Sequence, residues 1–321
     1  MEPAIVGVDI GKKEFSVALL RNDAERNGVF RNTAAGFAMF GRWLGKHGVE
    51  RAHICMEATG TYGEALAQHL HDAGHVVSVV NPARIKGFGQ SELSRTKTDK
   101  ADARLIARFC RAMKPAPWQP PTPEVKELKA LVRRLDELKG MLTQEKNRLG
   151  SADDVVKPSI QDMIGLIESR IFQVTQQIRD HVDYHPDLRG KRDLLETIPG
   201  IGPGTSAMIL AEFGDVSRFP DAGSMASFCG LTPRHRQSGT SVRGRSMLSK
   251  TGSSRIRKAL YMPALTAIRY NPVIRSFRAR LLANGKLKMI VVGAVMRKLV
   301  YIAYGVLKSG KPFDPAIGAT A

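Results

Sequence analysis

Apolar and polar positions alternate over the opening of the chain and then change period. From Ala4 to Leu20 the pattern AIVGVDIGKKEFSVALL predicts two short strands joined by a turn at Gly11-Lys12-Lys13, and a third strand follows near Val29. That is an antiparallel start. A helix fits Ala35 to His47, a strand Ala52 to Met56, and a helix Gly63 to Ala73, while VVSVV from Val76 reads as a buried strand ending at Asn81-Pro82. One more helix is expected from about Thr98 to Met113.

Three strands followed by alternating helix and strand is the order of the ribonuclease H-like fold, an α/β structure with helices packed on a mixed sheet. The segment PAPWQPPTP, Pro115 to Pro123, cannot continue a helix and predicts a stiff linker. Beyond it Val125, Leu128, Leu131, Val132, Leu135, Leu138 and Leu142 recur at helical spacing. So do Ile160, Ile164, Ile167, Ile171, Val174 and Ile178, which gives two long amphipathic helices. Their narrow apolar stripes suit either an intramolecular hairpin or a coiled coil between protomers. The expected organisation is a catalytic domain at 1–114, a linker at 115–123, a helical hairpin or coiled coil at 124–185 and a mainly helical domain at 186–321.

In that last part LLETIPGIGPGTSAMILAEFG places glycine-rich turns between helical halves, as in a helix-hairpin-helix. Gly200, Gly202 and Gly204 could let the backbone approach a phosphate at a helix N-terminus, or could simply join two packed helices. A length of 321 residues fits about two domains, and a 43% hydrophobic content is enough for ordinary packed cores. The N-terminus lacks a leader pattern, and the longest apolar runs fall short of the ~20 residues that span a bilayer, so a cytoplasmic location is expected. Cys55, Cys110 and Cys229 form no CxxC pair and read as buried thiols rather than a disulfide framework or a zinc site.

Charge changes the picture. Residues 222–313 hold eighteen Lys and Arg and no Asp or Glu, whereas the remaining Lys and Arg nearly balance the 30 acidic residues of the whole chain. A local surplus of this kind, which carries almost all of the +19 net charge, is the footprint of a surface for polyanions and points to nucleic acid. Within it, GLTPRHRQSGTSVRGRSMLSKTGSSRIRKAL reads as a serine- and glycine-rich basic loop ahead of a helix near Ser254. Arg234, Arg236, Arg243, Arg245, Lys250 and Arg255 are its candidate nucleic-acid contacts, with His235 nearby. Ser238, Ser241, Ser246, Ser249 and Ser253 are equivalent by spacing, and any of them could merely donate to a phosphate.

The candidate catalytic groups lie earlier. Asp9 sits inside an apolar strand, where an unpaired carboxylate is costly and calls for a cation or donor. Glu57 closes the strand AHICM, at the end where α/β sheets open into a crevice. Asp99 and Asp102 share one helix face, although Asp99 could also serve as a first-turn acid on the helix dipole. Taken together, Asp9, Glu57, Asp99 and Asp102 suit Mg²⁺ or Mn²⁺, hard ions that take oxygen ligands and cleave phosphodiesters, and they reproduce the layout of RuvC-like nucleases.

Through GVDIGKKEF, CMEATGTY, NPARIKGF, KTDKADARLIA, IPGIGPGTSA, GLTPRHRQSGTSVRG and LYMPALTA the sequence resembles the DEDD transposases of bacterial insertion sequences, a family of bridge-RNA-guided recombinases. The resemblance covers essentially the whole chain and implies that Asp9, Glu57, Asp99 and Asp102 are the DEDD metal ligands. It also implies that Ser238, in QSGTS, is the nucleophile that forms a phosphoserine link to DNA, with Arg234, Arg236 and Arg243 steadying the phosphate. The implied partners are an element-encoded guide RNA, donor and target duplex DNA, and further copies of the chain, a dimer assembling to a tetramer in which carboxylates and serine come from different protomers. The implied setting is the bacterial nucleoid. Three other readings compete: a junction nuclease in which activated water attacks, a sugar-kinase-like phosphate hairpin at GVDIGKKEFSVAL, and a non-catalytic nucleic-acid scaffold.

Overall fold

The computed structural model describes residues 4–21, 24–58, 60–92, 98–238 and 242–318. They fall in two compact units, Met1–Pro120 and Pro121–Ala321. In the first, β1 (Ala4–Ile10), β2 (Glu14–Arg21), β3 (Ala24–Arg31), β4 (Ala52–Glu57) and β5 (Val76–Val80) make one mixed sheet in the order β3-β2-β1-β4-β5. The tight turn after Ile10 makes β1 and β2 antiparallel, and β3 continues that meander. β4 and β5 run parallel to β1, so each return needs a crossover helix: α1 (Ala34–Lys46) before β4 and α2 (Glu64–Asp72) before β5.

Both faces of this sheet are covered, which is why β1 is apolar at nearly every position. On one face Val6, Val8, Val17 and Leu19 meet Phe37, Phe40 and Leu44 of α1 and Leu66, Ala67 and Leu70 of α2. On the other, Ile5, Ala18, Cys55 and Val80 lie under Ile85 of α3 (Pro82–Ser91) and Ala103, Ile106, Ala107, Phe109 and Cys110 of α4 (Asp99–Met113). The helix α3 was not expected from the sequence, where Asn81-Pro82 reads as a stop. It is a start instead: the Asn81 side chain accepts from the Ala83 N–H at 2.8 Å, and Pro82 occupies the first helical position, where its missing N–H is harmless. All three cysteines are buried free thiols.

In the second unit α5 (Pro123–Leu149) and α6 (Lys157–Tyr184) pair within the chain as a hairpin, crossed by the Lys146–Glu168 ion pair at 2.8 Å. Leu128, Val132, Ile178 and Val182 at its base join the unit's core. Further along α6, Met163, Leu166 and Phe172 are 45%, 55% and 65% exposed, on different sides of the helix. The core is completed by α7 (Pro186–Glu196), α8 (Pro203–Phe213), α9 (Ala222–Phe228), α10 (Ser254–Ala259), α11 (Tyr261–Tyr270), α12 (Pro272–Ala283) and α13 (Lys288–Ser309). A short α14 (Pro315–Gly318) follows.

α13 has 22 residues, and its most apolar 18-residue stretch has a mean hydropathy of 1.7, long and apolar enough by length and composition to cross a membrane, contrary to the expectation from short apolar runs. Half of that stretch is buried inside this unit, where Val291, Val295, Leu299 and Ala303 face the core, as a central core helix requires.

The segment read as a basic loop is in fact a two-stranded antiparallel ribbon, β6 (Pro233–Ser238) and β7 (Val242–Leu248). PRHRQS and VRGRSML show no sustained apolar alternation, because a two-stranded ribbon need not bury a face, so the usual strand signal is absent.

Candidate active site

Four carboxylates converge in the first unit from three elements. Asp9 lies one residue from the end of β1, paired across the ladder with Ser16. The parallel register that sets Val8 beside Met56 brings Glu57, the last residue of β4, to the same end of the sheet. Asp99 and Asp102 occupy the first turn of α4. Thr98 fixes that turn, its hydroxyl accepting from the Ala101 N–H at 3.2 Å and its carbonyl from the Asp102 N–H at 2.8 Å.

What brings α4 to the acids is Gly7. A Cβ at Gly7 would lie 2.1 Å from the Ala103 carbonyl oxygen and 2.2 Å from the Ala107 nitrogen, so the helix backbone rests directly on the strand. Gly7 and Asp9 share one face of β1, and the close seat therefore sets the helix N-terminus over Asp9. Gly7→Ala should cost about 1–3 kcal/mol by overpacking and reduce strand cleavage at least about tenfold as α4 shifts. Thermal unfolding and single-turnover cleavage measured together test this, and a destabilised Gly7→Ala protein with undiminished cleavage would detach the seat from the chemistry.

The electrostatics show what a cation would relieve here. Burial, then the charges of Asp102, Asp99 and Glu57, push the Asp9 carboxyl up to about 6. Burial and Asp102 raise Glu57 as well. Like charges held together at a half-buried position are satisfied by a hard divalent ion, and an all-carboxylate donor set suits Mg²⁺ or Mn²⁺. Among the described residues no three His, Cys, Asp or Glu already stand close enough to enclose an ion. The acids are nonetheless coupled through charge, each of the other three raising Asp9.

In the second unit Ser238 ends β6 opposite Val242, with Arg236 opposite Gly244 and Gln237 opposite Arg243. A register irregularity falls between Arg234 and Arg236. Arg245 lies within β7, whereas Ser241 lies outside the described residues. Ser253 is committed elsewhere: it caps α10 and donates to Glu212 at 3.3 Å. Lys250 is exposed, with its backbone in the left-handed region at φ 55°. Arg255 faces Asp136 and Glu212, each at 3.8 Å, so a phosphate would compete with two carboxylates for it.

The glycines of the helix-hairpin-helix segment divide. Gly200 has φ 109°, and a Cβ there would lie 2.8 Å from the Ala267 Cβ and 2.9 Å from the Pro263 carbonyl oxygen, so its need is close packing on α11 rather than approach to a phosphate. Gly202 and Gly204 have open space around them at the N-terminus of α8. Sequence reasoning overlooked two further features, Gly7 and a basic face on α4. The signals were present as a strand-interior glycine and as KADARLIARFCR, with cations at helical spacing.

Comparison with known proteins meets this geometry. Residues 6–156 match the IS110 DEDD transposase family, and residues 192–279 match the transposase IS116/IS110/IS902 family. The chain is 36% identical over 321 residues to the pilin gene-inverting protein of Moraxella bovis, covering 99% of each, and equally similar to its namesake in Moraxella lacunata. It is 26% identical over 166 residues to a 43.6 kDa protein of insertion element IS110 from Streptomyces coelicolor, covering 52% of this chain and 40% of that one. With the full length matched at that identity, the chain belongs to the IS110 family of DEDD transposases and is a DNA recombination enzyme.

Proposed function

We propose that this protein is an RNA-guided recombinase that moves its own insertion sequence, with a ribonuclease H-like unit holding a divalent ion and Ser238 acting as nucleophile. The observation that carries the reading is the convergence of Asp9, Glu57, Asp99 and Asp102, each raising the cost of ionising Asp9. The sheet order β3-β2-β1-β4-β5, with the acids on β1, β4 and the helix after the sheet, agrees with a RuvC-like unit.

A bound Mg²⁺ or Mn²⁺ would supply charge neutralisation at the phosphate and assist deprotonation of the attacking hydroxyl. The Ser238 Oγ attacks phosphorus as its proton leaves, and one P–O bond of the strand breaks to release a hydroxyl end. The phosphoserine ester conserves the bond, so a hydroxyl from the partner strand can attack it and return Ser238 to its starting state. Arg234, Arg236 and Arg243 would steady the phosphate, and Gly202 and Gly204 would admit backbone phosphate at the start of α8. Residues 222–313, free of acids, supply the positive field for donor and target DNA and for the guide RNA. The apolar side chains that α6 leaves exposed at Met163, Leu166 and Phe172 support a homo-oligomer joined through the hairpin.

A second reading is favoured by the names of the relatives that match at full length: inversion of a DNA segment between two sites, by the same cleavage and rejoining chemistry. The test of guidance is to rewrite the target-pairing loop of the RNA that co-purifies with the protein. Insertion should move to the newly complementary sequence, because pairing rather than the basic surface chooses the site. Insertion at the old site with the rewritten RNA, or inversion with no RNA bound, would replace guidance by protein readout.

A further inference from the structure

The outward face of α4 carries a second feature besides its acids. Lys100, Arg104, Arg108 and Arg111 follow one another at helical spacing, all exposed. Arg104, Arg108 and Arg111 line an open hollow of about 310 Å³ with Leu20, Ala24 and Glu25. Lys100 adds to the field there: burial raises the Glu25 carboxyl, but the Asn27 hydrogen bond, then Arg104 and then Lys100 outweigh it and hold the group below its ordinary range.

Structural pairing accounts for only part of this row. Arg104 reaches Glu25 at 2.6 and 2.8 Å, and Arg108 pairs with Glu92. Both arginine side chains stay about half exposed, at 48% and 49%, so each guanidinium retains N–H groups facing solvent. Arg111 enters no ion pair among the described residues, yet it lines the same hollow. Exposed pairs of this kind contribute little to stability. A tie between helix and sheet therefore explains neither Arg111 nor the unfilled space. Among the described residues the four cations outnumber the two carboxylates they face.

The row also has a direction. It spans roughly 16 Å along the helix at 1.5 Å per residue, with neighbours ~6 Å apart, a spacing at which one extended phosphodiester backbone can meet successive cations. Its first member, Lys100, lies between Asp99 and Asp102 in the turn that carries the acids.

We infer that the Lys100–Arg111 face of α4 is a backbone track for duplex DNA, gripping the phosphates of the strand that enters the carboxylate cluster. The direction of the strand rests on the cluster being the cleavage site; the binding does not. Duplex DNA is chosen over RNA because the track leads into the acids that act on DNA.

The experiment uses the full chain with its co-purified RNA, in EDTA so that no cleavage intervenes. Binding is titrated against salt with a labelled DNA duplex and, separately, a labelled RNA hairpin. Arg108→Gln/Arg111→Gln should lower the slope of log K against log salt on duplex DNA by about 1.8, at ~0.9 per lost phosphate contact. Arg111→Gln alone, which breaks no ion pair among the described residues, should lower it by about 0.9. Arg42→Gln/Arg51→Gln, exposed cations elsewhere in the same unit, should leave it unchanged. An unchanged slope in Arg111→Gln, an equal loss in the Arg42/Arg51 control, or a loss confined to the RNA hairpin overturns the assignment. Loss of cleavage in Asp9→Asn with an intact slope separates the track from the acids.

Discussion

Ser238→Ala should leave no slow protein–DNA species on a denaturing gel when the protein is incubated with labelled, RNA-matched DNA, whereas Ser241→Ala should keep it. Both changes remove one hydroxyl from the same short basic sequence, QSGTSVR. If the two serines only donated hydrogen bonds to phosphate, each loss would cost about 1 kcal/mol, roughly fivefold in binding, and would affect both variants alike. A lost nucleophile behaves differently: the covalent bond has no substitute, so the adduct and recombination vanish while DNA and RNA affinity hold. An adduct in Ser238→Ala would pass the role to another serine, and recombination without any adduct would favour attack by water.

The second large effect is at Asp9, and it has two signs. Asp9→Asn removes a carboxylate from the cation site and should abolish Mg²⁺- or Mn²⁺-dependent strand cleavage, a loss of at least about 10³-fold for a ligand acting directly at the metal. In metal-free protein the same change should stabilise the fold. The Asp9 carboxyl titrates at about 6 in the fold against 3.8 ordinarily, so the folded state binds the proton more tightly than the unfolded chain. Stability linked to this group is therefore fully present below pH 3.8 and is lost as pH rises through about 6. The full shift corresponds to about 3 kcal/mol, and discounting for partial exposure leaves about 1–2 kcal/mol of relief at neutral pH. Thermal unfolding in EDTA should show Asp9→Asn above the wild type at pH 7.5 and level with it near pH 4. A variant less stable than wild type at pH 7.5 would mean that the acids are not in mutual repulsion.

The elements of the first unit were legible where burial imposes a period. β1, β2, β4 and β5 are covered by helices, so their apolar runs mark them, and α1, α2 and α4 show one apolar stripe each. Asp9 stood out because it interrupts such a run. Convergence of Glu57, Asp99 and Asp102 on it could be anticipated from strand ends and a three-residue spacing, but the seat that enforces it could not. Gly7 acts through backbone contact with Ala103 and Ala107, a tertiary fact that a lone glycine in a strand only hints at. α3 was concealed because Asn81-Pro82 serves equally as a turn and as a capped helix start. The β6–β7 ribbon was concealed because it has no sustained apolar alternation to display. For the same reason spacing could not choose among its serines, and that choice came from resemblance.

The place of α13 in the second unit bears on how the protein comes into being. Its buried valines and leucines bind the elements of that core together, yet the ribosome delivers it after α5 to α12. The first unit closes at Pro120 and can fold while synthesis continues, in keeping with N-terminal domains folding first. The chain from α5 to α12 must wait with its apolar surfaces uncovered until α13 emerges. A stop codon between Leu248 and Lys288 would consequently remove more than a tail. It would leave the carboxylate unit intact and the serine ribbon attached to a core without its centre, a product prone to aggregate.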